Sequence, residues 1–306
     1  MRVTGNAGRS AASKAIRLLA TTTAAVVLTS GTAAMAQEFG QWSAPEPVEA
    51  VNTPTFGEGC PIQSPDGKYL YYASNDSRGH GGLDIWRAPR VPGGWGTPEN
   101  LGAPVNTAAD EFCPDPARGN RLFFVRRLSA TNTDIYLTKG EANGWTQPQR
   151  LPGGDGAINS SAEEWSPSYF EAKGHEYLYF SSTRNSTTTP PTQDIFYSVD
   201  FGPAQLVGGG VNSSASDARP NVRIDGLEMV WDSTRTGSQA TDIWTANRSS
   251  VDAEWGAAEQ LGNGINTAAG ESRATQSRDG RTLLFGSTRR GTSDIFTATR
   301  PKLGGR

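Results

Sequence analysis

The chain predicts an all-β fold, a five-bladed β-propeller with four antiparallel strands per blade, closed by pairing of its N- and C-terminal strands. Three observations carry that expectation. One set of motifs recurs five times at a nearly constant interval, each recurrence holds four strand-sized segments, and the segment absent after the fifth copy stands before the first.

The recurrence is plainest in an acid followed three places on by proline: Glu58-Gly-Cys-Pro61, Glu111-Phe-Cys-Pro114, Glu164-Trp-Ser-Pro167 and Asp217-Ala-Arg-Pro220. A fifth copy, Glu271-Ser-Arg-Ala274, lacks only the proline, and successive acids lie 53, 53, 53 and 54 residues apart. Upstream of each acid is a Val/Ile-Asn-Thr/Ser step containing Asn52, Asn106, Asn159, Asn212 or Asn266. A third marker, Asp-Ile-aromatic, recurs at Asp84, Asp134, Asp194, Asp242 and Asp294. Three markers in one order, five times each, define a repeat protein.

Within a unit the elements follow from composition. Residues 58–64 form a first segment, and Ser64-Pro-Asp-Gly67 is a tight turn. KYLYYAS (68–74) is aromatic and apolar throughout, as a strand buried on both faces must be. A polar loop precedes LDIWRA (83–88), and WGTPENL (95–101) supplies a fourth segment starting at Trp95. Four short strands every ~40–50 residues are the pattern of a propeller blade, which buries its faces only by stacking on its neighbours. Trp-x-x-Pro recurs at Trp145–Pro148, Trp255-Gly-Ala-Ala258 lacks the proline, and FGPAQL (201–206) fills the corresponding slot. No such segment follows Asp294-Ile-Phe296; Trp42-Ser-Ala-Pro45-Glu-Pro-Val48 supplies it from the N-terminus, removing the open edge. The repeat units run at about 42–94, 95–144, 145–200, 201–254 and 255–306, within one domain of 37–306.

Composition agrees. Apolar residues are 35 % and charged residues 19 % of the 306, with 36 Gly and 19 Pro, a balance of short elements and turns. Residues 1–36 differ: Arg2, Arg9, Lys14 and Arg17 precede an apolar Leu/Ala/Val/Thr stretch ending at Ala34-Met-Ala36. That is the pattern of a secretory signal peptide, with cleavage expected near Ala36–Gln37 and a periplasmic or secreted product. No cysteine follows the apolar stretch, so a lipid anchor is not expected, and no second run reaches membrane-spanning length. Cleavage removes four cations and no acid, taking the formal charge from −3 to −7. An acidic exported chain is a poor match to nucleic acid, whose phosphates require a basic surface.

The run SPDGKYLYYASN…GGLDIW, flanked by WGTPENLGAPVNT, resembles the TolB-type, WD-like propeller repeat of bacterial envelope proteins. It is especially similar to the propeller segments that precede OmpA-like peptidoglycan-binding domains, and the resemblance covers nearly all of residues 40–300. It implies a propeller and a place in the envelope. No OmpA-like segment is visible, so peptidoglycan anchoring is not expected, and neither the six blades nor the extra N-terminal domain of TolB is legible. Gly-His and Trp-Asp pairs are not periodic, which separates the repeat from eukaryotic WD repeats.

Candidate site residues fall near the expected channel mouth. Glu58, Glu111, Glu164, Asp217 and Glu271 form either a ring of carboxylates for a cation or sugar, or five equivalent caps for backbone N–H groups and blade arginines. An acid in every blade is explained by a need of every blade, and the same holds for the Asp of Asp-Ile-aromatic, expected to pair with backbone or with Arg184, Arg235 and Arg289. Function is better sought where the symmetry breaks. Two places after each acid stand Cys60, Cys113, Ser166, Arg219 and Arg273. Arg219 and Arg273, from neighbouring blades, form either a carboxylate or phosphate site or the counter-charge of the acid ring. Cys60 and Cys113, the only cysteines, are either a disulfide near the axis or two buried thiols. Phe112 and Trp165 are expected in the core, and the insertion NSTTTPPTQ (185–193) lengthens one loop as a candidate contact.

Catalytic signals are weak. The two histidines, His80 and His175, fall in different units, no zinc spacing occurs, and no nucleophile elbow or phosphate loop is present. No metal or cofactor is therefore expected. The expected function is a non-catalytic envelope binding or scaffolding module, a monomer or part of a larger complex, engaging a protein or an envelope polysaccharide through its channel mouth and top loops. The alternative is a glycoside hydrolase-like propeller with carboxylates in its central funnel.

Overall fold

A computed structural model describes residues 39–154 and 156–303; the expected signal segment and its cleavage point lie outside them. The described chain is all-β, with five small antiparallel sheets following one another as five blades of a propeller. The innermost strands are Glu58–Gln63, Glu111–Ala117, Glu164–Ala172, Asp217–Val222 and Glu271–Gln276, in blades I to V. Each packs against the next, and the fifth against the first, which closes the ring around an axis. Among the described residues no helix is long and apolar enough to cross a membrane.

The second strands are Tyr69–Ser74, Arg121–Ser129, His175–Ser182, Glu228–Ser233 and Thr282–Arg290. They carry the packing: Leu70, Leu122 to Val125, Phe180, Met229 to Trp231, Leu283 and Phe285 are all essentially without solvent contact. A blade offers apolar side chains on both faces here, so each second strand joins cores on either side. The third strands carry Asp-Ile-aromatic, whose isoleucines Ile85, Ile135, Ile195, Ile243 and Ile295 are fully buried.

The outer strands are shorter than their sequence segments. In blade I the segment pairs with the third strand in two short pieces. Gly94–Trp95 turns back against Arg90–Val91, with the Arg90 guanidinium 3.7 Å over the Trp95 ring, and Glu99–Asn100 pairs farther along against Trp86 and Arg87. Pro98 intervenes and has no N–H to give a ladder. Outer strands in blades II to IV are Gln149–Arg150, Gln205–Leu206 and Glu259–Gln260, so each sheet is offset by one strand from the sequence repeat. Blade V takes its outer strand from the N-terminus, Glu46 opposite Thr297 and Pro47 opposite Phe296. The same closure continues to Phe39 opposite Lys302 and the Gly40 N–H to the Pro301 carbonyl, 2.9 Å. Arg300 is held between Phe39 and Trp42 with its guanidinium 4.0 and 4.2 Å from the two rings, and pairs with buried Glu228 of blade IV.

Candidate functional site

The three repeated markers serve the frame of every blade. Each acid of the inner strand is buried, Glu58 at 1 % exposure and Glu111, Glu164, Asp217 and Glu271 at 0 %. Each accepts from the backbone N–H and the hydroxyl of the Thr or Ser that follows the repeated Asn: Thr53, Thr107, Ser160, Ser213 and Thr267. Glu164, Asp217 and Glu271 also pair with Arg184, Arg235 and Arg289, which donate in turn to carbonyls of the loop before the acid. These arginines therefore serve the inner-strand acid rather than the Asp of Asp-Ile-aromatic; their side chains fold back under the loop, where two carbonyls and a carboxylate converge. Blade II lacks Ser-Thr-Arg, and Arg126 reaches Glu111 at 2.7 Å from two positions earlier. In blade I no arginine reaches Glu58, and burial raises its carboxyl above the usual range.

The repeated asparagines are stitches between blades. Asn106 accepts from the N–H of Ile85 and donates to its carbonyl, both at 2.9 Å, and Asn159 does the same to Ile135. Asn212, Asn266 and Asn52 hold Ile195, Ile243 and Ile295 in the same way.

The position two after each acid is different. Cys60, Cys113, Ser166, Arg219 and Arg273 all have positive φ, between 47° and 59°, conformations uncommon without glycine. In every blade the ladder to the second strand slips at this point, between Gly59 and Ile62 in blade I and at the equivalent residues in the others. Each inner strand thus carries a bulge, which re-aims a side chain out of the pleat. The signal was present in the sequence: a proline inside an otherwise central strand marks a bulge, and Pro61, Pro114, Pro167 and Pro220 follow the bulged residue directly.

The five bulged residues, with Pro114, Pro167, Pro220 and residues of the neighbouring inner strands, line a cavity of about 20 Å³ near the axis, room for one or two waters. Cys60 and Cys113 are bonded to each other there, with Cα atoms 4.8 Å apart, and Ser166 donates to the Cys113 sulfur at 3.1 Å. Arg219 forms a two-point pair with buried Asp232. Arg273 donates its backbone N–H to the same carboxylate at 2.9 Å, but its guanidinium has neither ion pair nor hydrogen bond among the described residues, and its Nε is buried. Burial, then the neighbouring Arg219, pull its pKa down to about 10.

Above these lies Trp165, partly buried, edge-on to buried Phe112 at 5.1 Å. The guanidiniums of Arg127, Arg219 and Arg273 stand 5.8, 5.9 and 5.9 Å from its ring centre, and its indole N–H is buried without a partner. Arg127 is balanced by Asp110 and, at 3.7 Å, Glu163. The sequence singled out Arg219 and Arg273; it gave no sign of Arg127, which reaches the same ring from the second strand of blade II. Among the described residues no group of three or more His, Cys, Asp or Glu side chains is placed to hold a metal ion.

No family model matches the chain, and no curated protein sequence matches it. Solved structures do. The putative TolB from Agrobacterium tumefaciens is similar at 18 % identity, with a TM-score of 0.50, over 81 % of this chain and 79 % of that one. A thermostable family-43 glycoside hydrolase is similar at 15 % identity and TM-score 0.56, over 84 % and 92 %. Zg3597, a family 117 glycoside hydrolase of Zobellia galactanivorans, is similar at 14 % and 0.52, over 86 % and 91 %. These likenesses show the fold. They divide between a TolB and glycoside hydrolases, so the choice between binding and hydrolysis rests on the chemistry around the axis.

Proposed function

We propose that this chain is a non-catalytic binding propeller of the cell envelope, which engages a partner protein at the Trp165–Arg273 end of its axis. The observation that carries the reading is the contrast between repeated and unrepeated residues. The repeated acids, asparagines and arginines are buried in bonds within and between blades, whereas the unrepeated aromatic and arginines gather at one end of the axis. Aromatic and arginine side chains are the groups most enriched where proteins bind one another. The TolB likeness supports the same reading, as does the expected export of the chain.

A glycan-cleaving reading draws on the hydrolase likenesses. Glycoside hydrolysis uses two carboxylates flanking the scissile bond, with room for a sugar between them. The side chains lining the axial cavity carry arginine, serine, asparagine, threonine, proline and the disulfide in place of such a pair. This favours binding over cleavage.

The test is affinity capture from an envelope extract with the wild-type chain and with Arg219→Ala/Arg273→Ala. A protein enriched by wild type and lost from a folded variant is the expected result. Release of reducing ends from a polysaccharide, with no protein enriched, would reverse the ranking.

A further inference from the structure

We propose that the cluster of Arg273, Arg219 and Trp165 at the end of the axis is an anion site that takes a single carboxylate group. The inference rests on the binding reading above and names the chemistry of what is bound.

Two independent features point to a missing acceptor. Among the described residues no carboxylate stands at ion-pair distance from the Arg273 guanidinium, although Arg219 beside it is matched by Asp232 and Arg127 by Asp110. A partly buried charge left without a counter-ion is unfavourable, and a bound anion relieves it. Secondly, the Nε of Arg273 and the indole N–H of Trp165 are both buried donors without acceptors, in one cluster. Buried donors are satisfied almost everywhere in proteins, so a pair of orphans beside an unmatched cation defines a place for an acceptor that carries negative charge.

The surroundings favour a small, singly charged acceptor. The axial cavity beneath, of about 20 Å³, sets the disulfide and three prolines beside Arg219 and Arg273. Among the described residues it brings no carboxylate to its wall, so nothing lining it supplies the missing counter-charge. A guanidinium presents a planar fork that a carboxylate matches with two oxygens, and the single charge of a carboxylate balances the one unmatched arginine. Blade I makes room for the arginine: Gly59 stands where other blades carry Phe112, Trp165, Ala218 or Ser272, and a Cβ there would lie only 3.1 Å from the Arg273 Nη1.

The experiment is a titration of the full-length chain with sodium acetate, at ionic strength held constant with sodium chloride. It follows the Arg273 Nε–H and Trp165 indole N–H signals by NMR. The expected result is a saturable shift of both signals with acetate, weakened on the order of tenfold or more in Arg273→Gln. In Arg273→Lys, which keeps charge but not the fork, binding is weakened with an unchanged melting temperature. Sodium phosphate is the second arm, and tighter binding of phosphate than of acetate would overturn the carboxylate assignment. Linear shifts equal to those of chloride, or donors held by a water that acetate leaves in place, would overturn the site altogether. Loss of acetate binding with retention of Arg273-dependent protein capture would sink this inference and leave the binding function standing.

Discussion

At the scale of single residues, a ring of side chains four places after each acid ties the inner strands together. Asp115 accepts from the Tyr169 N–H, Ser168 from Val222 at 2.9 Å and Asn221 from Gln276 at 2.8 Å, each reaching the next blade; Thr275 donates to the Pro61 carbonyl at 2.6 Å. Asp115 is the exceptional member, because burial raises its carboxyl to about 8. The folded chain therefore holds a proton between about pH 4 and pH 8 that the unfolded chain has released. The contribution of Asp115 to stability therefore falls as pH rises through that window, by at most about 1.4 kcal/mol per unit. Asp115→Asn keeps an acceptor for Tyr169 and cannot ionise, so its stability relative to wild type should rise from pH 5 to pH 8 and then level off. Urea midpoints at pH 5, 7 and 9 check this; parallel curves would count against it. Neither this ring nor the orphaned donors of Trp165 and Arg273 was legible in the sequence, because Asp, Ser, Asn and Thr share no pattern beyond having an oxygen to offer.

At the scale of the element, much was legible. Repeated markers, turns and the displaced Trp-x-x-Pro segment located the strands and the closure at Glu46–Pro47, because a missing outer strand has to be found somewhere in a closed ring. The bulges and the short outer strands were not anticipated: the bulge recurs in blade V, where Ala274 replaces the proline, and in blade I Pro98 interrupts the outer segment. The closing segment also buries Phe39, Trp42 and Val48. At roughly 1.5–3 kcal/mol for each large side chain, removing residues 37–50 should cost several kcal/mol and expose the edge of blade V. A truncated chain melting at the wild-type temperature would mean that the N-terminal strand does not close the ring.

At the scale of the whole molecule, the side-chain ring has one gap. Between blades I and II the positions are Ile62, which has no acceptor, and Pro116, which has no N–H. The Cys60–Cys113 bond lies across that same seam. The five-blade count, the order of blades and the candidate cysteines were all readable from a 53-residue period; that the disulfide stands where the polar stitching stops needed coordinates. A cross-link closing a loop of 53 residues contributes on the order of 4 kcal/mol in the chain-entropy account. Cys60→Ser/Cys113→Ser should accordingly lower the melting temperature by several degrees, and alkylation of the native chain before reduction should label no thiol. Two labelled thiols, or an unchanged melt, would remove the bond from the account.

The pairing of Phe39 with Lys302 brings the two ends of the described chain to one place on the rim of blade V. Any flanking sequence, before or after, must then depart from neighbouring points, and a short peptide would join them. Opening the chain instead in the exposed loop at 187–191 would give a circular permutant with all five sheets intact. Such a permutant would separate what a terminus does for this ring from what merely happens to be attached there.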